Sequence, residues 1–174
     1  QMIDWAPTLL RYFQADVPGD MQGHDLEATI REDCPVRDYA LYGVFSGHVN
    51  ITDGRYTYMR AAEPERADEV YNYTLMTTHM NSRFSPDELT GAILQKPFTF
   101  TKGCPVLKVK SKEKYPVCGF GTRLYDVTED PGQVNPIQDQ EVEDRLIGAM
   151  VHLMEENDSP EEQFYRLGLE AVRV

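Results

Sequence analysis

Asp53-Gly54 is the tightest constraint on what this chain can fold into. It lies between Val49–Thr52 and the run 55–60, both rich in β-branched or aromatic residues. Asp-Gly between two such runs is a strong short-range signal for a β-hairpin, because both turn residues must accept positive φ. A hairpin commits its surroundings to an antiparallel sheet. Further short runs at 39–45, 71–76, 97–101, 106–110 and 120–127 read as strands that extend it. Eleven prolines and twelve glycines agree with frequent turns rather than long uninterrupted helices.

Four helices are signalled around these strands. Asp4 can cap a short first helix with Pro7 in its opening turn, where a missing N–H costs little. Leu9, Leu10 and Phe13 supply its apolar stripe, and Pro18-Gly19-Asp20 ends it. Ser85-Pro86-Asp87-Glu88 is a capping box that starts a helix over 86–94. The segment 139–156 is amphipathic, with Val142, Leu146, Ala149, Met150 and Leu153 on one face. Asp139, Glu141 and Glu143 place acid in its first turn, where the helix dipole favours it. Ser159-Pro160-Glu161-Glu162 repeats the capping box ahead of a last helix. The predicted fold class is α+β: a small antiparallel sheet packed by a long late helix.

Charge and cysteine content exclude several functions. The net charge is -12 over 174 residues, so neither nucleic acid nor an anionic membrane is an expected partner. No apolar run approaches the ~18 residues that span a bilayer. The three cysteines, Cys34, Cys104 and Cys118, make a poor disulfide framework. A Cys104–Cys118 bridge is the minor alternative to free thiols, and such sparse cysteines lean towards a cytoplasmic setting. Zinc is not expected, because neither the cysteines nor the histidines have ligand spacing. The basic stretch 108–114 reads as a solvated loop or hairpin.

Candidate site residues are few. His48, in Ser46-Gly47-His48-Val49-Asn50, follows a tight bend between two strands that could aim an imidazole into a cleft. Asn50 stands beside it. His79, followed by Arg83, offers an imidazole near a cation, which suits a sulfate or a sugar hydroxyl. His24 and His152 read as structural. Asp126, Glu129, Asp130 and Asn135 resemble a calcium loop only superficially, since Pro131 stands where the loop needs Gly; a turn is expected. Asn50-Ile51-Thr52 and Asn72-Tyr73-Thr74 match the glycosylation sequon but lie in expected strands. No Ser-His-Asp order, P-loop or Gly-x-Gly-x-x-Gly pattern is present.

Four stretches together resemble the sulfatase family of the alkaline phosphatase superfamily. Asp4-Trp5-Ala6-Pro7-Thr8-Leu9-Leu10 resembles its Asp-Leu/Ile-x-Pro-Thr-Leu-Leu segment. Met21-Gln22-Gly23-His24-Asp25-Leu26 is similar to the Asp-Gly-x-Ser-Leu turn that follows, with Gln22 and Asp25 as departures. Asp53-Gly54-Arg55-Tyr56-Thr57-Tyr58-Met59 resembles a Gly-Arg-Tyr hairpin, and Leu124-Tyr125-Asp126 with Asp130-Pro131 and Asn135 resembles the family's Leu-Tyr-Asp bend. Cys34-Pro35-Val36-Arg37 misses the Cys-x-Pro-x-Arg nucleophile signature by one position at both Pro and Arg. It reads instead as a turn.

The resemblance implies a carboxy-terminal portion of a sulfatase. Residues 1–35 would be the tail of the large α/β domain, including a remnant helix. Residues 36–174 would form the carboxy-terminal subdomain, with 62–118 as a family-variable insertion. The parent enzyme would hydrolyse sulfate esters with formylglycine and calcium, carried by an upstream catalytic domain. This portion would be inactive alone and would supply one cleft wall against a sulfated small molecule or glycan through His48, Asn50, His79 and Arg83. The resemblance also expects the Asp-Gly ribbon and the strand before the late acidic bend to share one sheet. A phosphodiesterase or phosphonate hydrolase of the same superfamily is an alternative. So is a non-enzymatic acidic interaction module, self-associating as a homo-oligomer through Trp5, Leu9 and Phe13.

Overall fold

The Asp53-Gly54 ribbon forms, and it seeds a four-stranded antiparallel sheet. A computed structural model describes residues 1–79, 81–111 and 117–172, without the side chains of Val117 and Cys118. The second half of the proposed Cys104–Cys118 pair therefore lies outside the described residues, as do Lys112 and Lys114 of the basic stretch. The chain divides into two compact units, Gln1–Ala40 and Leu41–Val174.

In the first unit, α1 (Trp5–Tyr12) follows a 3-10 turn at Met2–Asp4. Asp4 stands at the cap position, but no side-chain bond caps the helix. Its buried carboxylate instead takes both guanidinium nitrogens of Arg37 (2.6 and 2.7 Å), the His24 amide (2.8 Å) and the terminal amine (2.7 Å). The Arg37 hydrogen bonds, helped by that amide, hold its carboxyl well below the usual range despite burial. Gly23 is needed beside it, because a Cβ there would stand 2.0 Å from the Ile3 carbonyl oxygen. An unpredicted helix, α2 (Glu27–Glu32), is short and has no side-chain cap.

Apart from Ala40, the second unit holds β1 (Ala40–Gly43), β2 (Val49–Thr52), β3 (Tyr56–Arg60) and β7 (Arg123–Asp126), in the order β1-β2-β3-β7. β3 pairs with β7 from Tyr56↔Asp126 to Met59↔Arg123. The ribbon and the strand of the acidic bend therefore share one sheet, as the resemblance expects. The turn differs in detail from the expected pair of positive-φ residues: Gly54 alone has positive φ, at 93°. Asp53 closes the turn by accepting the amides of Arg55 and Tyr56 and reaches Arg145 with its other oxygen.

One face of this sheet makes the core. Ile51, Tyr58 and Leu124 form a register row and are essentially inaccessible to solvent. α4 (Gln140–Glu156) packs across it, burying Leu146 and Met150. Asp139 caps α4 through the Val142 amide at 3.1 Å. α5 (Glu161–Leu167) adds Phe164 and Leu167 to the core. Its expected capping box does not form: Pro160 takes the cap position, with no side-chain bond. The fold class is α+β.

The segment 62–118 carries a second sheet, β4-β6-β5, from β4 (Tyr71–Thr74), β5 (Ile93–Gln95) and β6 (Val106–Lys110). The expected helix over 86–94 shrinks to one turn, α3 (Pro86–Leu89), although both halves of the Ser85–Glu88 capping box form. Gly91 at φ 80° turns the chain, and Ile93 to Gln95 pairs with β6 instead. Residues 99–101 form a 3-10 turn rather than a strand, held by the Thr101 hydroxyl on the Phe98 and Cys104 carbonyls. Lys108 and Lys110 belong to the expected strand at 106–110 rather than to a loop. They lie in β6 against the Tyr71 ring and pair with Glu162 and Glu69. Among the described residues no helix is long and apolar enough to cross a membrane.

Candidate functional site

The sheet face opposite α4 gathers the polar residues. Side chains alternate along a strand. Asn50 pairs with Met59, and Met59 with Arg123, so these three form a row on the face that Ile51, Tyr58 and Leu124 do not use. Tyr125, two residues beyond Arg123, shares that face. The Arg123 guanidinium is aligned by Nε donating to the Phe120 carbonyl (3.0 Å), with Nη1 3.4 Å from the Tyr125 hydroxyl.

His48 stands just before β2. Its Nε2 lies 3.0 Å from the Gly121 carbonyl. A carbonyl oxygen only accepts, so Nε2 donates and Nδ1 is left for another group. Gly43 lets β1 pass closely, since a Cβ there would stand 2.6 Å from the His48 carbonyl oxygen. Asn50 is 8% exposed, and its side-chain oxygen is buried without a hydrogen-bond partner. Such an orphan costs roughly 1–3 kcal/mol, and native structures seldom leave one. A hydroxyl or amide donor could reach it only if the groups that now shield it moved aside.

His79 and Arg83 stand elsewhere. Thr78 and Arg83 form an isolated bridge. His79 packs its ring against Phe84 at 4.2 Å and bonds Glu88 at 2.7 Å through Nε2. The Ser85 amide and then His79 keep the exposed Glu88 carboxyl below its ordinary value. No hydrogen bond, ion pair or ring contact among the described residues joins this pair to His48 or Asn50.

Arg123 and Tyr125 escaped the sequence reading. Their alternation with Leu124 was visible, but the sheet face they share with Asn50 depends on the β3–β7 register. The acidic bend behaves as a turn. Asp126 accepts the Thr128 hydroxyl (2.6 Å), the amides of Thr128 and Glu129, and the Arg55 guanidinium. The Thr128 hydroxyl and then Arg55 hold its carboxyl down to about 2. Asp130 takes the amides of Val134 and Asn135, both at 2.7 Å.

Among the described residues no group of three or more His, Cys, Asp or Glu is arranged to hold a metal ion. Cys34 is exposed, and the Arg37 after it is committed to Asp4. Among the described residues, neither this pair nor any acidic cluster offers a calcium or formylglycine centre. A cavity of 620 Å³ lies between β5, β6 and the α4–α5 junction, lined by Gln95, Phe98, Lys108, Asp158 and Glu161 among others. It contains none of the four predicted residues.

No family model matches the chain, and no curated protein matches it in sequence. A solved sulfatase structure from Bacteroides thetaiotaomicron (BT33494S-sulf), described with the metabolism of multiple glycosaminoglycans, is similar with a TM-score of 0.51. The identity is 16%, and the match covers 95% of this chain and 28% of that one. This chain shares its fold with part of a sulfatase. It spans little more than a quarter of that protein's length.

Proposed function

We propose that this chain is the carboxy-terminal part of a sulfatase-like hydrolase of sulfate esters, and that it forms one wall of the substrate cleft. The observation that carries the reading is the fold match over 95% of the chain to a sulfatase. The shared sheet of β3 and β7, on which two of the four sequence motifs meet, supports it independently.

In this reading the formylglycine and calcium belong to polypeptide outside Gln1–Val174, because no described residues here suit them. The wall consists of His48, Asn50 and Arg123. Once its cover moves aside, Asn50 accepts a hydrogen bond from a substrate hydroxyl or amide; Nδ1 of His48 accepts a second, and Arg123 faces the anionic part. These contacts bind and orient, so they act on KM. His79 and Arg83 form a second contact point, set apart from the first. The substrate class is a sulfated small molecule or glycan.

The test uses the natural full-length protein with a chromogenic sulfate ester and the matching phosphate mono- and diesters. Sulfate turnover should dominate. Preference for the phosphate diester would move the chain to the phosphodiesterase branch, and turnover of none would leave the interaction module as the better reading. Asn50→Ala should raise KM by roughly tenfold or more, the size of a buried hydrogen bond, with kcat little changed. An unaltered KM removes Asn50 from the cleft wall.

A further inference from the structure

His48 owes its place to a turn that α5 holds from behind. Ser46 has φ 61°, the left-handed region that costs a residue with a side chain about 1 kcal/mol. Gly47 follows, donating its amide to Val44 at 2.9 Å. A Cβ on Gly47 would meet the Val44 side chain at 2.6 Å. A strained turn persists only where its surroundings over-determine it.

One buried side chain among the surroundings holds both carbonyls of the turn. Arg166 of α5 is 1% exposed. Its Nη2 donates to the Ser46 carbonyl at 2.7 Å, its Nη1 to Gly47 at 3.3 Å, and its Nε lies 3.4 Å from the Ala67 carbonyl. A planar fork with fixed donor directions fits two successive carbonyls in a way that an ammonium group cannot. α5 is itself tied down: Arg60 donates to the Leu167 carbonyl and the Glu63 amide to that of Arg166.

We propose that Arg166 is a positioning residue for His48: by clamping the Ser46 and Gly47 carbonyls it fixes where β2 begins, and so aims the imidazole at Gly121 with Nδ1 facing the cleft. The link to substrate rests on the reading of His48 given above; the clamp itself does not. A residue 118 positions downstream thereby sets the geometry of a site to which it contributes no atom.

Two measurements on the natural full-length protein separate these claims. The first is the rate of His48 carbethoxylation by diethyl pyrocarbonate, read by peptide mass spectrometry with exposed His152 as internal reference. Arg166→Lys, which keeps the charge and loses the fork, should speed it by about threefold or more as the Gly121 bond loosens. An unchanged ratio of His48 to His152 overturns the clamp. Should Arg166→Lys not fold, Arg166→Gln, which loses the fork and leaves no charge to bury, is judged by the same ratio.

The second is a double-mutant cycle on KM for the sulfate ester. Arg166→Lys should raise KM by about threefold to tenfold when His48 is present and have little effect in His48→Ala. Equal effects in both backgrounds reduce Arg166 to general structural support and overturn positioning. If His48→Ala alone leaves KM unchanged, His48 is not a substrate contact. The clamp then stands or falls on the labelling ratio.

Discussion

The two units are held together by opposite means. In Gln1–Ala40 only Asp4 and Pro7 are buried, and the organising centre is one carboxylate that draws on residues 1, 24 and 37. In Leu41–Val174 the centre is apolar, with Ile51, Tyr58, Leu124, Leu146, Met150, Phe164 and Leu167 all essentially shielded from water. Apolar burial is non-directional and tolerates small adjustments. A polar node fails as a whole when one member is lost, because the rest remain desolvated. Trp5, Leu9, Tyr12 and Phe13 stay largely exposed in the first unit, so its apolar residues contribute little to its own cohesion.

Perturbing the apolar centre should have the largest effect. Phe164→Ala should destabilise the second unit by about 3–5 kcal/mol, seen as a lower urea midpoint for exchange of β2 and β3 amides. A smaller loss would mean that the core collapses onto the gap. Asp4→Asn comes next, at about 2–3 kcal/mol, below the penalty for a wholly buried pair because Arg37 keeps 21% of its side chain in water. Its signature is local: the His24 amide should lose protection while β2 and β3 do not. Coincident loss in both regions would erase the distinction between the units.

Acid should then separate the two aspartates. Both carboxyls are depressed in the folded chain, so each stabilises fully above the unfolded value of ~3.9 and loses that contribution as pH falls through its folded value. Protection at Thr128 and Glu129 should be released by pH of about 2, whereas the His24 amide should hold into stronger acid. The reverse order would mean that Arg37 is not the main partner of Asp4. Asp139→Ala removes the α4 cap and should cost about 1 kcal/mol, confined to the first turn of α4 in hydrogen exchange. The smallest change is expected of Leu9→Ala. At 49% exposure it should shift stability by no more than ~0.5 kcal/mol, and a larger loss would reveal apolar cohesion in the first unit.

The candidate site was half legible. His48 and Asn50 could be found because a Gly before a His at a strand start is a local pattern. Arg123 could not, since its relation to Asn50 runs through two strand pairings. The orphaned Asn50 oxygen was equally hidden: no residue type announces which of its atoms will lack a partner. Helix 86–94 failed for a related reason. Its cap is local and formed as expected, but pairing with β6 competed successfully for Ile93 to Gln95.

What the sequence determined alone was whatever closes within a few residues: the ribbon around Gly54, the Ser85 cap, and the Asp126 and Asp130 turns. These depend on φ preferences and on side chains reaching their own backbone. Tertiary structure decided which strands meet, which face of the sheet is polar, and that Asp4 would serve Arg37 rather than cap a helix. It also set Arg166 behind Ser46. Contacts separated by 33 and 120 positions carry no local signature, because their energy is realised only once the whole core has brought the partners together.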